Sequence, residues 1–406
     1  MRKPQASTRP EYVELHCHSG YSFLDGASHP EELVLTAKEL GYKALALTDH
    51  NGLYGSMEFA HMALAEGIRP ITGAEVSVRL EKEPPPEDGD PINQSFHMTL
   101  LAETPKGYAN LCRLISESHL ESPRLNPSLH LDSLLERNEG LIVLTGCSKS
   151  PLLHHLEDAQ HIGDAFAKKL LSAIGPDRLF VELQENEAKG DRPRNRKLAR
   201  LADRMGIPVV ATGNVHYHKQ TRHRLQDVLV AIRNRSTLDN SHEVRRANAM
   251  YHLPKQEEMW ARFETRTDAL TNTLAIAERC QAFDLTQDMG YEFPDFEGSD
   301  RGSAISVLAE VCHVALEEKY ALGSKKRDEA VSRLESELTL VDYHNLSGFF
   351  MVYRDIMNLA REVGAKVRGS APRATSNLPP GRGRGSSVSS IICYLIGLSH
   401  IDPVEN

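Results

Sequence analysis

The stretch LHCHSGYSFLDG, residues 15–26, sets two histidines two positions apart in an apolar-flanked run and follows them with Asp25. A strand repeats its side-chain direction every two residues, so His16 and His18 share one face and Cys17 takes the other. Two neutral imidazoles and a carboxylate aimed at one point suit a borderline metal such as zinc. A surface histidine pair beside a turn would use the same residues, and the rest of the chain decides between the two.

Outward from that stretch, the first two-thirds of the sequence alternates strand and helix. YVELHCH alternates apolar and polar residues and is rich in strand formers. HPEELVLTAKELG opens a helix near Pro30 and stops at Gly41. KALALT is the next strand, GSMEFAHMALAEG the next helix and IRPITGAEVSV the strand after it. Further strands are expected at FHMTLLA, LIVLTG, RLFVELQ and PVVAT, and helices at PKGYANLCRLISESHL, DAFAKKLLSAIG and RNRKLARLADRMG. Strands separated by helices imply a parallel sheet, and about seven strands favour a barrel over a doubly wound sheet.

In α/β barrels the working side chains sit where the loops converge, at the C-terminal ends of the strands. Asp49 and His50 end the second strand, Glu75 lies in the third, Cys147 follows LIVLTG, and Asn214 and His216 follow PVVAT. Any one of these has a structural explanation. The series as a whole points to a multinuclear metal site.

Composition bounds the rest. At 406 residues, two domains are expected. No apolar run approaches the ~20 residues of a membrane span, and MRKPQASTRPEY lacks the apolar core of a secretory signal, so a cytoplasmic protein is expected. Six scattered cysteines form no disulfide framework. A net charge of −9 excludes a protein basic all over, yet the charge is uneven. Residues 81–90, EKEPPPEDGD, read as an acidic surface loop, whereas residues 361–384 carry six basic residues against Glu362. Arginines also cluster in RHRLQDVLVAIRNR, residues 222–235. Local basic strips on an acidic chain fit a partner bearing phosphates.

After about residue 282 the pattern changes to long helical stretches, DRGSAISVLAEVCHVALEEKYALG and RDEAVSRLESELTLVDYHNLSGFFMVYRDIMNLAREVG. KVRGSAPRATSNLPPGRGRGSS follows, too rich in Gly, Pro and Ser for an element interior, and leads into VSSIICYLIGL. RGRGSS before a helix offers backbone N–H groups that can close around phosphate oxygens, although the glycines alone would equally serve a linker.

Together, LHCHSGYSFLDG, LALTDHNGLYGSMEF, GIRPITGAEV, HMTLLAET and VVATGNVHYH resemble the PHP (polymerase and histidinol phosphatase) domain of bacterial C-family DNA polymerases. The tail YHNLSGFFMVYRDIMNLAREVG with GRGRGSSVSSIICYLIGLSHIDP resembles the start of the palm of the same α subunits, and the error-prone paralogue more than the replicative one. Two motif sets in the expected order make the resemblance specific over nearly the whole chain.

The resemblance implies an α/β fold: a distorted (β/α)7 PHP barrel followed by a mostly helical, incomplete α/β palm segment. It implies an N-terminal tail over residues 1–10, a metal-dependent phosphoesterase-like PHP domain over 11–282, and the opening of the palm over 283–406. The family's ligand pattern falls on His16, His18, Asp25, His50, Glu75, His97, Cys147, Asn214 and His216. Asn214 departs from it, because an aspartate is expected there and an amide removes a negative charge. His97 stands apart at the start of an apolar run. Asp49 and Glu58 suit structural positions beside the ligands, and His218 is expected to face solvent.

Zn2+ or Mn2+ at this site would polarise a phosphodiester and lower the pKa of a water, giving phosphoester hydrolysis or a 3′→5′ exonuclease. Arg384, Gly385 and Ser386 would contact the triphosphate of an incoming nucleotide. Polymerisation would use Mg2+ on palm aspartates expected beyond IDPVEN. DNA and deoxynucleoside triphosphates are the implied partners, with a sliding clamp and damage-tolerance proteins for the full-length enzyme and no membrane. The alternatives are a free-standing histidinol-phosphatase-like phosphatase, which the palm-like tail opposes, and a non-catalytic PHP scaffold that binds DNA or polymerase partners, which Asn214 keeps open.

Overall fold

The structure is a computed structural model that describes residues 11–81, 95–290, 303–368 and 385–405. The expected acidic loop over 81–90 and Arg384 therefore lie, but for Glu81, outside the described residues. By its contacts the chain divides into Met1–Met289 and Gly290–Asn406.

The first unit is built on one sheet: β1 (Ala44–Leu47), β2 (Arg69–Arg79), β3 (Phe96–Ala102), β4 (Leu129–His130), β5 (Leu141–Leu144), β6 (Leu179–Gln184) and β7 (Val209–Thr212). Their order is β1-β2-β3-β5-β6-β7, with β4 beside β2. All residues of β1, β5, β6 and β7 are buried, as expected of strands covered on both faces. Leu33, Val34 and Ala37 of the helix Pro30–Glu39 join Leu45 and Leu47 in the main core.

Residues 14–17 link the two ends of the sheet. Glu14 bridges Leu45 beside β1, and Cys17 bridges Val215 just past β7, so the sheet curls around them. YVELHCH is thus not the regular strand expected from its alternation. Several of its backbone N–H groups go to side chains instead: Val13 N–H to Thr273 Oγ1 at 3.1 Å, His16 N–H to Glu14 Oε1 at 2.9 Å and Cys17 N–H to Thr48 Oγ1 at 2.9 Å. A ladder deprived of those donors breaks into single bridges.

The sheet also differs from the all-parallel expectation. β3 pairs antiparallel with both β2 and β5. The sequence between β2 and β3 contains the Pro-rich EKEPPPEDGD in place of a helical pattern, and a crossover to a parallel strand normally needs a helix.

The second unit is helical among its described residues, with helices Ala304–Lys319, Lys325–Tyr343, Ser347–Arg368 and Ile391–Leu395. The helical stretch expected over residues 327–364 is interrupted at Asn345, whose φ of 52° is left-handed. Leu308, Cys312, Leu334, Met351, Ile391 and Ile392 form its core. Glu337 holds the last helix, accepting from Ser390 Oγ at 2.7 Å and Ile391 N at 3.0 Å. Gly385 and Ser386 begin a single 3-10 turn ahead of it. Among the described residues no helix is long and apolar enough to cross a membrane.

Candidate metal centre

Parallel strands bring their C-terminal ends to one rim, and antiparallel β3 brings its first residues to the same rim. That is why His97, at the start of its strand, joins side chains that end theirs. Glu75 is the hub. Its Oε1 lies 3.3 Å from His16 Nε2 and 3.2 Å from His97 Nδ1; its Oε2 lies 2.7 Å from His50 Nδ1 and 3.7 Å from His18 Nε2. His18 stacks on His50 with ring centroids 4.3 Å apart and tilts against His216 at 4.4 Å.

Partners behind the rings set their orientation. His16 Nδ1 donates to Glu182 Oε1 at 2.6 Å, and that oxygen also accepts from Gln184 Nε2 at 2.7 Å and Thr212 Oγ1 at 2.5 Å. Ser22 donates to Asp49 Oδ1 at 2.6 Å, which leaves the serine oxygen to accept from His18 Nδ1 at 3.3 Å. Both histidines then turn Nε2 toward Glu75, the arrangement that ligating imidazoles use. Cys147 Sγ sits 3.5 Å from His97 Nδ1. This approach requires Gly146: at φ 95° it lies so close to the His97 carbonyl that a Cβ would stand 1.9 Å from the oxygen.

The charges are strongly coupled. Burial opposes ionisation of Glu75, but the imidazoles of His97, His50 and His16 outweigh it and hold the carboxyl well below its usual range. Burial likewise disfavours a charged His16, yet Glu182 and Glu75 overcome it and raise its pKa to about 10. His50, against Glu75 and Asp25, is raised to about 9 in spite of burial. Burial lowers His18 well below its ordinary value, helped by His50 and His216. Burial and then Glu75 push the Cys147 thiol well up, so it stays protonated until a cation arrives.

A second corner forms around Asp25. Its Oδ2 lies 3.1 Å from His50 Nε2, 3.3 Å from His216 Nε2 and 3.7 Å from Arg246 Nη2. Its Oδ1 meets Gln226 Nε2 at 3.2 Å and Arg233 Nη1 at 3.3 Å. Burial opposes ionisation here too, and His216 and Arg246 hold the carboxyl well below its usual range. Burial, then Arg246, lowers His216 to about 4.

The donor set fits metal ions. Three groups of three ligand atoms each lie within 4.8 Å of one another: His18, His50 and His216; His16, His18 and Glu75; His50, Glu75 and His97. Glu75 Oε1 is buried at ion-pair distance from two imidazoles without an aligned hydrogen bond, as suits an oxygen shaped for coordination. Asn214 reaches the same cavity with left-handed φ of 49°. Its Nδ2 donates to Gln184 Oε1 at 3.3 Å, and its buried Oδ1 has no hydrogen-bond partner. All nine family-pattern residues thus come together. Glu58 instead accepts from Tyr21 in an exposed position, and His218 lies half-buried against Ser28 at 2.7 Å, not fully in solvent as expected.

Sequence analysis passed over Glu182, Gln184 and Arg246, and met Arg233 only within the arginine cluster of residues 222–235. Glu182 and Gln184 had a signal, since two polar residues at strand parity interrupt the apolar LFVELQ. The cavity at the mouth, about 360 Å³, is lined by the cluster together with Lys149, Arg233, Arg245 and Arg246. Metal groups beneath a basic rim suit an anionic, phosphate-bearing ligand.

Comparison with known proteins bears on both units. Residues 14–186 match the PHP domain, and residues 306–406 match the bacterial DNA polymerase III alpha NTPase domain. The error-prone DNA polymerase of Cutibacterium acnes is 35% identical over 416 residues, covering 100% of this chain and 34% of the relative. The DNA polymerase III subunit alpha of Treponema pallidum is 31% identical, covering 98% of this chain and 33% of its own. The chain thus spans about a third of the length of these curated relatives. Among solved structures, an amidohydrolase from Chromobacterium violaceum aligns with 50% of this chain and 87% of its own at 16% identity and a TM-score of 0.36.

Proposed function

We propose that the chain is the PHP domain and the opening palm segment of an error-prone DNA polymerase of the bacterial DNA polymerase III α family, acting in damage tolerance. In this reading residues 11–282 are the PHP domain and 283–406 the first part of the palm. DNA and deoxynucleoside triphosphates are the substrates of the whole enzyme, with Mg2+ for polymerisation, and a sliding clamp is a partner. Arg384, Gly385 and Ser386 meet the nucleotide triphosphate.

For the barrel mouth, we propose a metal-dependent phosphoester hydrolase that trims DNA 3′ ends. The observation that carries this reading is Glu75, a buried carboxylate ringed by His16, His18, His50 and His97. These residues, with Asp25, Cys147, Asn214 and His216 around them, would hold Zn2+ or Mn2+, which would supply Lewis-acid polarisation of the phosphoryl group and lower the pKa of a water. Glu182 fixes the tautomer and tilt of His16, and Asp49 does the same for His18 through Ser22. Lys149 and Arg245 on the rim draw in the phosphate.

Asn214 and the arginine contacts of Asp25 favour a second reading, a PHP scaffold that binds metal without hydrolysing DNA. A 5′-labelled single strand incubated with Mn2+ or Zn2+ separates the two. The hydrolase trims it from the 3′ end and loses that activity in His16→Ala. Metal uptake without trimming supports the scaffold, and no metal uptake rejects both.

A further inference from the structure

The two corners of the mouth differ in what faces their lone pairs. His216 Nδ1 lies 2.8 Å from the Asn214 carbonyl, so Nδ1 carries the proton and donates it there. Nε2 is left with a lone pair, 3.3 Å from Asp25 Oδ2. With His216 neutral, two acceptors face each other there, an arrangement that a cation between them stabilises. Arg246 provides it: Nη2 donates to His216 Nε2 and lies 3.7 Å from Asp25 Oδ2.

We infer that Arg246 is the resident cation of the Asp25–His216 corner, occupying the two lone pairs that a divalent ion would need there. The inference rests on the metal-centre reading of the mouth and sets where metal enters it. Two of the three candidate groups, both containing Glu75, do not use His216 and remain open to metal. The group that includes His216 is closed by the guanidinium.

Charge balance at the corner agrees. Asp25 supplies one carboxylate, and Asn214, the nearby residue on the β7 side, is neutral. With Arg246 on Oδ2 and Arg233 on Oδ1, one carboxylate already faces two guanidiniums, and a divalent ion there would add to that excess of positive charge. The side chain is also held from its other face. The Arg246 guanidinium lies over the Tyr251 ring, 4.4 Å from its centroid, and the Tyr251 carbonyl accepts from the His216 backbone at 2.8 Å. Platform and acceptor therefore belong to one paired stretch of backbone.

The test uses the whole chain stripped with a chelator, then dialysed against Mn2+ or Zn2+ and assayed for bound metal by elemental analysis. Parent protein should fill the Glu75 groups and stop. Arg246→Met, with Arg246→Gln as a second variant should the first misfold, should take up an additional ion or bind its last ion about tenfold tighter, the scale of one charge-assisted hydrogen bond removed from competition. Equal stoichiometry and affinity in parent and variants would overturn the inference while leaving the metal centre standing. No uptake by the parent would overturn the metal-centre reading itself, and this inference with it. A melting-temperature cycle on the metal-free protein adds a readout independent of metal. Arg246→Met and Asp25→Asn together should lower the melting temperature by less than the sum of the single changes, and strict additivity would count against the pairing.

Discussion

Two carboxylates, 50 residues apart in sequence and both buried, meet opposite surroundings at the barrel mouth. Glu75 is ringed by four imidazoles, each capable of offering a neutral lone pair. Asp25 is held by two guanidiniums and an amide as well as two imidazoles. Both carboxyls are pushed well below their usual range, so acidity alone does not tell them apart. The kind of cation does. Imidazole can lose its proton and become a ligand, while guanidinium keeps its charge and competes with metal. A buried acid among histidines is therefore a better sign of a metal centre than a buried acid among arginines.

The largest expected effect breaks that contrast at its hub. Glu75→Gln should weaken metal binding by about 100-fold or more, above the range for losing a supporting partner, whereas Asp25→Asn should cost far less. Competition against a chromophoric chelator measures both, and equal losses would erase the distinction. Glu182→Gln comes next. It leaves every donor in place but removes the acceptor behind His16 Nδ1, so a loss of roughly 10–100-fold is expected in the same assay.

A third prediction concerns pH. His16 and His50 titrate at about 10 and about 9 in the native protein against 6.5 unfolded, so between these values the native state holds more protons. Their stabilisation of the metal-free protein is complete below about pH 6.5 and is lost as pH rises through 9 and 10. The slope approaches ~1.4 kcal/mol per pH unit for each proton. With metal bound the same imidazoles are neutral donors, and the alkaline loss should vanish. Urea unfolding between pH 7 and 10, with and without chelator, checks this; parallel curves would count against it. The smallest effect is that of Asn214→Asp, which restores a carboxylate near the Asp25 corner and should tighten the weakest metal by a few-fold in equilibrium dialysis. No change would remove Asn214 from the site.

Much of this arrangement was legible in the sequence because barrel geometry converts strand ends into neighbours. His50, Cys147 and His216 follow apolar runs, and the two-residue spacing of His16 and His18 sets their shared direction. His97 was visible only by resemblance, since its place at the mouth depends on β3 running antiparallel. Glu182 and Gln184 were hidden inside a strand that reads as core, where only their shared parity marks them. Arg246 lies in an irregular stretch with no periodicity, and its role depends on a fold that brings residue 246 to residue 25. In the second unit, Asn345 ends a helix by a left-handed residue that the apolar pattern runs straight through.

The account turns on Glu75 as a metal hub, and anomalous scattering locates metal without reference to activity. Crystals grown with Zn2+ or Mn2+ and measured at the matching absorption edge should show peaks at ~2.0–2.3 Å, ordinary ligand distance, from Glu75 and its imidazoles, with none between Asp25 and Arg246. A map with no peak beside Glu75 would contradict the central claim.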